Sequence, residues 1–335
     1  YSKEMGKEIS KFSSYAIDLL NKYDFPGNIR ELENLLEEYH RAAADPARAH
    51  QLEHLIEEAM ETAKKIIREA IKNFPNRTEE KINIPDISED VVAGFTTDVI
   101  SDILGGKYRP SYRPLNDGIQ AGRLRGVAGV VGCNNARSRH NEAHLTLVKE
   151  LIKNDVIVLT TGCNGIACAM EGLLTPGAAA VYCGPGLSEI CETVGIPPVL
   201  HLGSCVDNSR ILLAATEVVR AGGLGNDLSD LPAAGSAPEW MSEKAISIGH
   251  YFVTSGVYTL FGVNLPVTGA PVFQKYLFEE FEKLFGGMWD LEIDPIKHAQ
   301  KMIAHIDKKR QALGIDKARE RILVDMAARR EIEAA

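Results

Sequence analysis

The sequence predicts an α/β protein built on a doubly wound, Rossmann-like parallel sheet, preceded by an all-helical segment. Three observations carry this expectation. First, three β-rich apolar runs end alike: Gly129-Val-Val-Gly-Cys133-Asn-Asn, Val156-Ile-Val-Leu-Thr-Thr-Gly-Cys163-Asn-Gly and Pro198-Val-Leu-His-Leu-Gly-Ser-Cys205-Val-Asp-Asn-Ser-Arg210. Each stops at Gly-Cys or Ser-Cys and continues into residues able to cap a helix. Second, helical patterns stand between most such runs, the alternation that writes a parallel sheet with crossover helices. Third, all six cysteines (Cys133, Cys163, Cys168, Cys183, Cys191 and Cys205) fall inside this alternating region. Parallel strands end along one sheet edge, the crevice where such folds bind ligands, so Cys133, Cys163 and Cys205 are expected to converge there.

Composition narrows the classes. The 335 residues, 45% apolar and 25% charged, suffice for a core and one to three domains. A net charge of -9 argues against nucleic-acid binding by the α/β part. No apolar run reaches the roughly 18 residues of a membrane span and no signal peptide opens the chain, so a cytoplasmic location is expected. The chain starts at Tyr1, not Met, and reads as a piece of something longer.

Taken in order, residues 1–44 read as helical. Ser13 and Ser14 cap a first helix that stops at Tyr23-Asp-Phe-Pro-Gly, and Asn28 with Glu31 forms a capping-box start for a second. In residues 45–80, Asp45-Pro46 opens a long amphipathic helix, with Glu61 placed to pair with Lys65 and Pro75 ending it. Residues 81–310 form the α/β domain, with strands expected at 91–95, 125–131, 155–160, 178–182, 198–203, 231–235 and 257–262. The stretch 294–333 reads as helical and charged, packing outside or fraying, with 311–335 as a C-terminal helix.

Without a secretory signal, the cysteines point to metal or redox chemistry before disulfides. Cys168 and Cys191 sit on apolar helix faces and read as inert core thiols, whereas Cys183 is open to either reading. The wide separations of the other three lack the short paired spacing of structural zinc. Nucleotide binding is disfavoured: no phosphate loop is present, and neither Gly184-Pro-Gly186 nor Gly222-Gly-Leu-Gly225 fits Gly-x-Gly-x-x-Gly.

Three further strings join the cysteine motifs: Gly225-Asn-Asp-Leu-Ser-Asp-Leu-Pro232, Ala237-Pro-Glu-Trp-Met-Ser-Glu-Lys244-Ala-Ile-Ser-Ile-Gly249 and Phe252-Val-Thr-Ser-Gly-Val257. Together, over about residues 50–310, they resemble the C-terminal part of the anaerobic nickel carbon monoxide dehydrogenases, notably the subunit partnering acetyl-CoA synthase. The resemblance implies a prismane-like or hybrid-cluster-like fold and a nickel-iron-sulfur cluster held by five cysteines and a histidine. Cys133 and Cys163 match iron ligands, and Cys205 matches the cysteine on nickel. Lys244 matches the lysine that hydrogen-bonds the carboxylate formed from carbon monoxide, although by itself it reads as a surface helix lysine. The implied activity oxidises carbon monoxide with water to carbon dioxide and passes electrons to a ferredoxin-like acceptor, in a homo-oligomer.

Departures matter too. The family's other cluster ligands, electron-transfer iron-sulfur clusters and proton-relay histidines lie upstream of the equivalent of residue 50. In their place Tyr23-Asp-Phe-Pro-Gly-Asn-Ile-Arg-Glu-Leu-Glu-Asn34 resembles the lid of AAA+ transcription activators, where the counterpart of Arg30 senses nucleotide. Between 51 and 132 only His54 could substitute, and it is expected to be exposed on the long helix; His140 and His144 follow Cys133 on a helix and are placed to neighbour the site, but no motif makes them ligands. The chain alone is therefore expected to bind little nickel. The alternative is a non-catalytic module serving as a sensing or interaction domain of a regulator.

Overall fold

The computed structural model describes residues 46–317 except 77, 79–85, 87, 89, 107 and 268, with side chains from Met60 onward. The expected helices of 1–44, the side chain of His54 and the chain after 317 lie outside the described residues. Two compact units divide at Asp86 and Ile87. In the first, helix α1 (Pro46–Asn73) runs into a 3-10 turn at Phe74–Asn76 that contains Pro75. Glu61 takes Lys64 as its partner at 2.9 Å, three residues on, where Lys65 was expected.

The second unit is built on six parallel strands: β1 (Gly126–Val130), β2 (Val156–Thr161), β3 (Val199–Gly203), β4 (Ala233–Ala237), β5 (Thr259–Phe261) and β6 (Trp289–Leu291). Their order is β3-β2-β1-β4-β5-β6. The chain winds outward from β1 in one direction, then returns beside it and winds outward in the other, so the sheet is doubly wound with its switch point between β1 and β4. Register is regular there, with Val127 opposite Ile157 on one side and Ala233 on the other. β2 is buried at every position, as its unbroken Val-Ile-Val-Leu-Thr-Thr requires of a strand covered on both faces.

The helices are α2 (Thr97–Gly105), α3 (Arg113–Gln120), α4 (Glu142–Lys153), α5 (Gly162–Met170), α6 (Ala178–Tyr182), α7 (Pro185–Val194), α8 (Ser209–Ala221) and α9 (Glu243–Thr254). Then follow α10 (Pro271–Lys275), a π-helical turn, α11 (Phe281–Phe285) and α12 (Pro295–Ala312). α4 and α12 pack together on the sheet, and α2, α3 and α8 pack with one another. No helix among the described residues is long and apolar enough to cross a membrane.

Four expectations need correction. Residues 91–95 form no strand; Ala93 makes a single bridge to His201, whose carbonyl accepts from Gly94 and Phe95. Residues 178–182 are helix α6, because a short Ala-Ala-Ala-Val-Tyr run has no period and its alanines favour helix. The three-residue β6 escaped notice because it is too short to show alternation. α12 is a packing layer, not an outer appendage: His298, Ala299, Met302, Ile306 and Arg310 are buried. Its Arg310 guanidinium donates to the carbonyls of Ile119, Leu124 and Arg125 at 2.9–3.2 Å, so its charge conceals an inward-facing position.

Candidate metal centre

The three adjacent strands β1, β2 and β3 each deliver a cysteine at the C-terminal edge. After β1 the chain passes Val131 and Gly132 to the half-buried Cys133. After β2, Gly162 takes φ +60° and starts α5, whose second residue is the exposed Cys163. After β3, Ser204 leads into a 3-10 turn (Cys205–Asn208) that opens on the exposed Cys205. A Cβ on Gly162 would lie 3.3 Å from that of Cys205, so a glycine serves both the left-handed backbone and the close approach of these strand ends.

The turn around Cys205 ties itself together. The backbone N–H and hydroxyl of Ser204 both donate to Asp207 Oδ2, at 2.7 and 2.9 Å. Asn208 Nδ2 donates to the Cys205 carbonyl at 2.9 Å, while its Oδ1 accepts the Thr161 hydroxyl at the end of β2. Arg210 donates to the Leu202 carbonyl at 2.9 Å and faces Asp207 at 3.5 Å. Ser204, Asp207, Asn208 and Arg210 thus each hold this turn.

Cys133 is held from outside its own loop. His144 on α4, fully buried, donates from Nε2 to the Cys133 carbonyl at 2.9 Å. That assignment follows because a carbonyl only accepts. Burial depresses the imidazole pKa, and His144 Nδ1 has no hydrogen-bond partner among the described residues. Asn134 Nδ2 donates to Asn141 Oδ1 at 2.7 Å and Glu239 Oε2 at 3.3 Å, and Asn135 Nδ2 donates to the Trp240 carbonyl at 2.9 Å.

Lys244 is exposed on the first turn of α9, which Ser242 opens. A pocket of about 50 Å³ at the β1–β4 switch point is walled by Cys133, Cys205 and Lys244 together, with Gly129, Gly235 and Phe252 beneath. Cys163 lies one strand over and does not line it. Burial pushes the thiols of Cys168, Cys183 and Cys191 up to about 12, so all three stay protonated at neutral pH. Cys183 is half-buried, whereas Cys168 and Cys191 are buried. His140 is exposed, and His201 is half-buried with its ring against Gly165, where burial lowers its pKa. Among the described residues no three His, Cys, Asp or Glu side chains converge closely enough to hold one metal ion. Cysteines that each bind a different metal of a cluster need no such single point.

A doubly wound sheet with thiols at its switch-point edge defines the class, and comparison with known proteins gives the family. Residues 32–296 match the Prismane/CO dehydrogenase family, and the chain belongs to it. Carbon monoxide dehydrogenase 1 of Methanosarcina mazei is 48% identical over 295 residues, covering 88% of this chain and 42% of its own. The solved nickel-free carbon monoxide dehydrogenase of Thermococcus sp. AM4 is 50% identical, with a TM-score of 0.72 over 77% of this chain and 40% of that one. An acetyl-CoA synthase/carbon monoxide dehydrogenase structure, with NiZn[Fe4S4] and NiNi[Fe4S4] clusters in its alpha subunits, is 36% identical with the same TM-score. It covers 78% of this chain and 40% of that one. The chain spans about two fifths of the length of the relatives it matches.

Sequence reasoning passed over Asn134, Asn141 and Glu239 as supports of Cys133, and it placed His144 near the site without its role on the Cys133 carbonyl. The one signal was a carboxylate in Pro238-Glu239-Trp240, directly after an apolar strand.

Proposed function

We propose that this chain is the C-terminal module of a carbon monoxide dehydrogenase that oxidises carbon monoxide with water to carbon dioxide, releasing two protons and two electrons, the electrons going to a ferredoxin-like acceptor. The observation that carries this reading is the switch-point pocket shared by Cys133, Cys205 and Lys244, with Cys163 on the neighbouring strand end. In this reading Cys133 and Cys163 hold irons and Cys205 holds nickel, a donor set suited to soft metals. The nickel-iron-sulfur cluster supplies the two-electron redox chemistry when bound. Lys244 lines a narrow, mostly apolar pocket, and in this reading its ammonium stabilises negative charge developing on substrate oxygen there.

Three thiols are half the family's ligand set, and the remaining histidine and cysteines are expected upstream or from another chain. Among the described residues, no histidine and none of Cys168, Cys183 and Cys191 lines the pocket with Cys133 and Cys205 to replace them. An acetyl-CoA synthase subunit and a second copy of the enzyme are the partners this reading implies. The second reading, a non-catalytic sensing module, draws on the same shortage of ligands and the two-fifths span.

A chimera separates the two readings. The matching two fifths of the Methanosarcina mazei enzyme is replaced by this chain, reconstituted anaerobically, and assayed for nickel, iron and carbon monoxide-dependent viologen reduction. Catalysis predicts turnover by the chimera that Cys205→Ser abolishes, and no stoichiometric nickel on this chain alone. A folded, iron-loaded chimera without turnover supports the sensing module.

A further inference from the structure

Glu239 is 0% exposed, yet no lysine or arginine is seen paired with it among the described residues. A carboxylate taken out of water has to find its compensation in donors. Its observed donors are the backbone N–H groups of Ala143 at 3.0 Å and His144 at 3.5 Å, and Asn134 Nδ2 at 3.3 Å. All three belong either to the loop that carries Cys133 or to the first turn of α4 that closes it. The N-terminal end of a helix also favours a negative charge.

The neighbouring contacts act in the same direction. Asn141, the residue before α4, holds φ +65°, a left-handed conformation uncommon outside glycine, and its side chain accepts from Asn134 at 2.7 Å. Trp240 accepts Asn135 and is itself fixed, its indole donating to the Val263 carbonyl at 2.8 Å and its ring lying edge-on to Phe261. On the other side, His144 grips the Cys133 carbonyl. The carbonyl of residue 133 and the side chains of 134 and 135 are thus all tied to other elements.

We propose that Glu239 is the positioning residue of Cys133: it joins the end of β4 to the Cys133 loop and to α4, fixing the backbone that presents Sγ to the switch-point pocket. A ligand held this way meets its metal without first ordering a loop. The inference rests on Cys133 being a ligand, but its test needs no metal. The reduced, metal-free chain is alkylated with iodoacetamide, and the rate at each cysteine is mapped by peptide mass spectrometry. Cys163 and Cys205, whose supports do not involve Glu239, are the internal references.

Glu239→Ala and the milder Asn134→Ala are expected to speed alkylation of Cys133 by about tenfold, leaving Cys163 and Cys205 within about twofold. Glu239→Gln, which keeps a carbonyl acceptor for the α4 amides, falls between. A general loss of stability would move all three thiols together and would overturn the proposal. An unchanged Cys133 rate in Asn134→Ala and Glu239→Gln would overturn it equally, even where Glu239→Ala does not fold. Because alkylation and chimera turnover are separate readouts, failure of the positioning role and failure of the catalytic reading are distinguishable.

Discussion

The turns that carry Cys205 and Cys133 sit at the same sheet edge, yet they are held by opposite means. Around Cys205 the ties are mostly local: Ser204 to Asp207, Asn208 to Cys205, Arg210 to Leu202 and Asp207. Around Cys133 the ties to the segment that follows β4 cross 105 positions of sequence, from Asn134 to Glu239 and from Asn135 to Trp240. A local turn forms from its own residues and changes little when distant packing loosens. A turn held by distant groups is only as well placed as the whole sheet, so damage elsewhere should reach Cys133 before it reaches Cys205.

The largest expected effect is a direct contrast between the two supports. Glu239→Ala removes a buried acceptor, strands three donors and leaves a cavity, and is expected to cost about 3–5 kcal/mol in urea unfolding. Asp207→Ala removes a capping box and the partner of Arg210, with an expected cost of about 2 kcal/mol. Equal costs, or a reversed order, would break the contrast.

Acid attacks the long-range side without mutation. His298 on α12 is buried, and its Nδ1 faces the Glu292 carbonyl at 2.9 Å, so that nitrogen carries the proton and Nε2 accepts the Ser236 hydroxyl of β4 at 2.8 Å. Burial lowers its pKa to about 4. The folded imidazole is therefore neutral between about 6.5 and 4, where the unfolded one is charged. Unfolding takes up a proton in that window, so stability is full above it and falls as the pH drops. By pH 5 the loss from His298 should be about 2 kcal/mol relative to pH 7.5, and His305, also lowered to about 4 by burial, adds to it. Urea titrations at the two pH values check this. Because β4 leads directly to Glu239, amide hydrogen exchange should rise at 133–136 more than at 204–208.

How much could be read in advance follows the same division. β1, β2 and β3 were legible because each is a continuous apolar run punctuated by Gly-Cys or Ser-Cys, and their helices follow in order. The Cys205 string was legible as a unit because most of its supports are its own residues or their near neighbours. Glu239 was not, since nothing near it in sequence indicates that Asn134 is its partner. α12 was misplaced for a related reason: His298, Met302, Ile306 and Arg310 recur every fourth residue, but the stripe includes a histidine and an arginine, and the carbonyls of Ile119, Leu124 and Arg125 that accept Arg310 lie far away in sequence. Helix α6 and strand β6 were too short for any period to declare itself.

A smaller effect probes where the two turns meet. Gly162→Ala puts a side chain at φ +60° and 3.3 Å from the Cys205 Cβ, with an expected cost of about 1–2 kcal/mol. It should change iodoacetamide reactivity at Cys163 and Cys205 while sparing Cys133, the reverse of the Glu239 pattern. The smallest stability change is expected for Lys244→Ala, within about 0.5 kcal/mol because the residue is exposed. In the chimera the same substitution should lower kcat by about a hundredfold or more, as loss of a charge-stabilising donor does, with nickel content unchanged.

The most direct test of the shared site is anomalous diffraction at the iron and nickel edges from crystals of the anaerobically reconstituted chimera. The account predicts iron at about 2.3 Å from Sγ of Cys133 and of Cys163, and nickel at about that distance from Sγ of Cys205, all within one cluster beside Lys244. Metal bound at Cys168, Cys183 or Cys191, or a fully loaded cluster that leaves any of Cys133, Cys163 and Cys205 without metal, would contradict it.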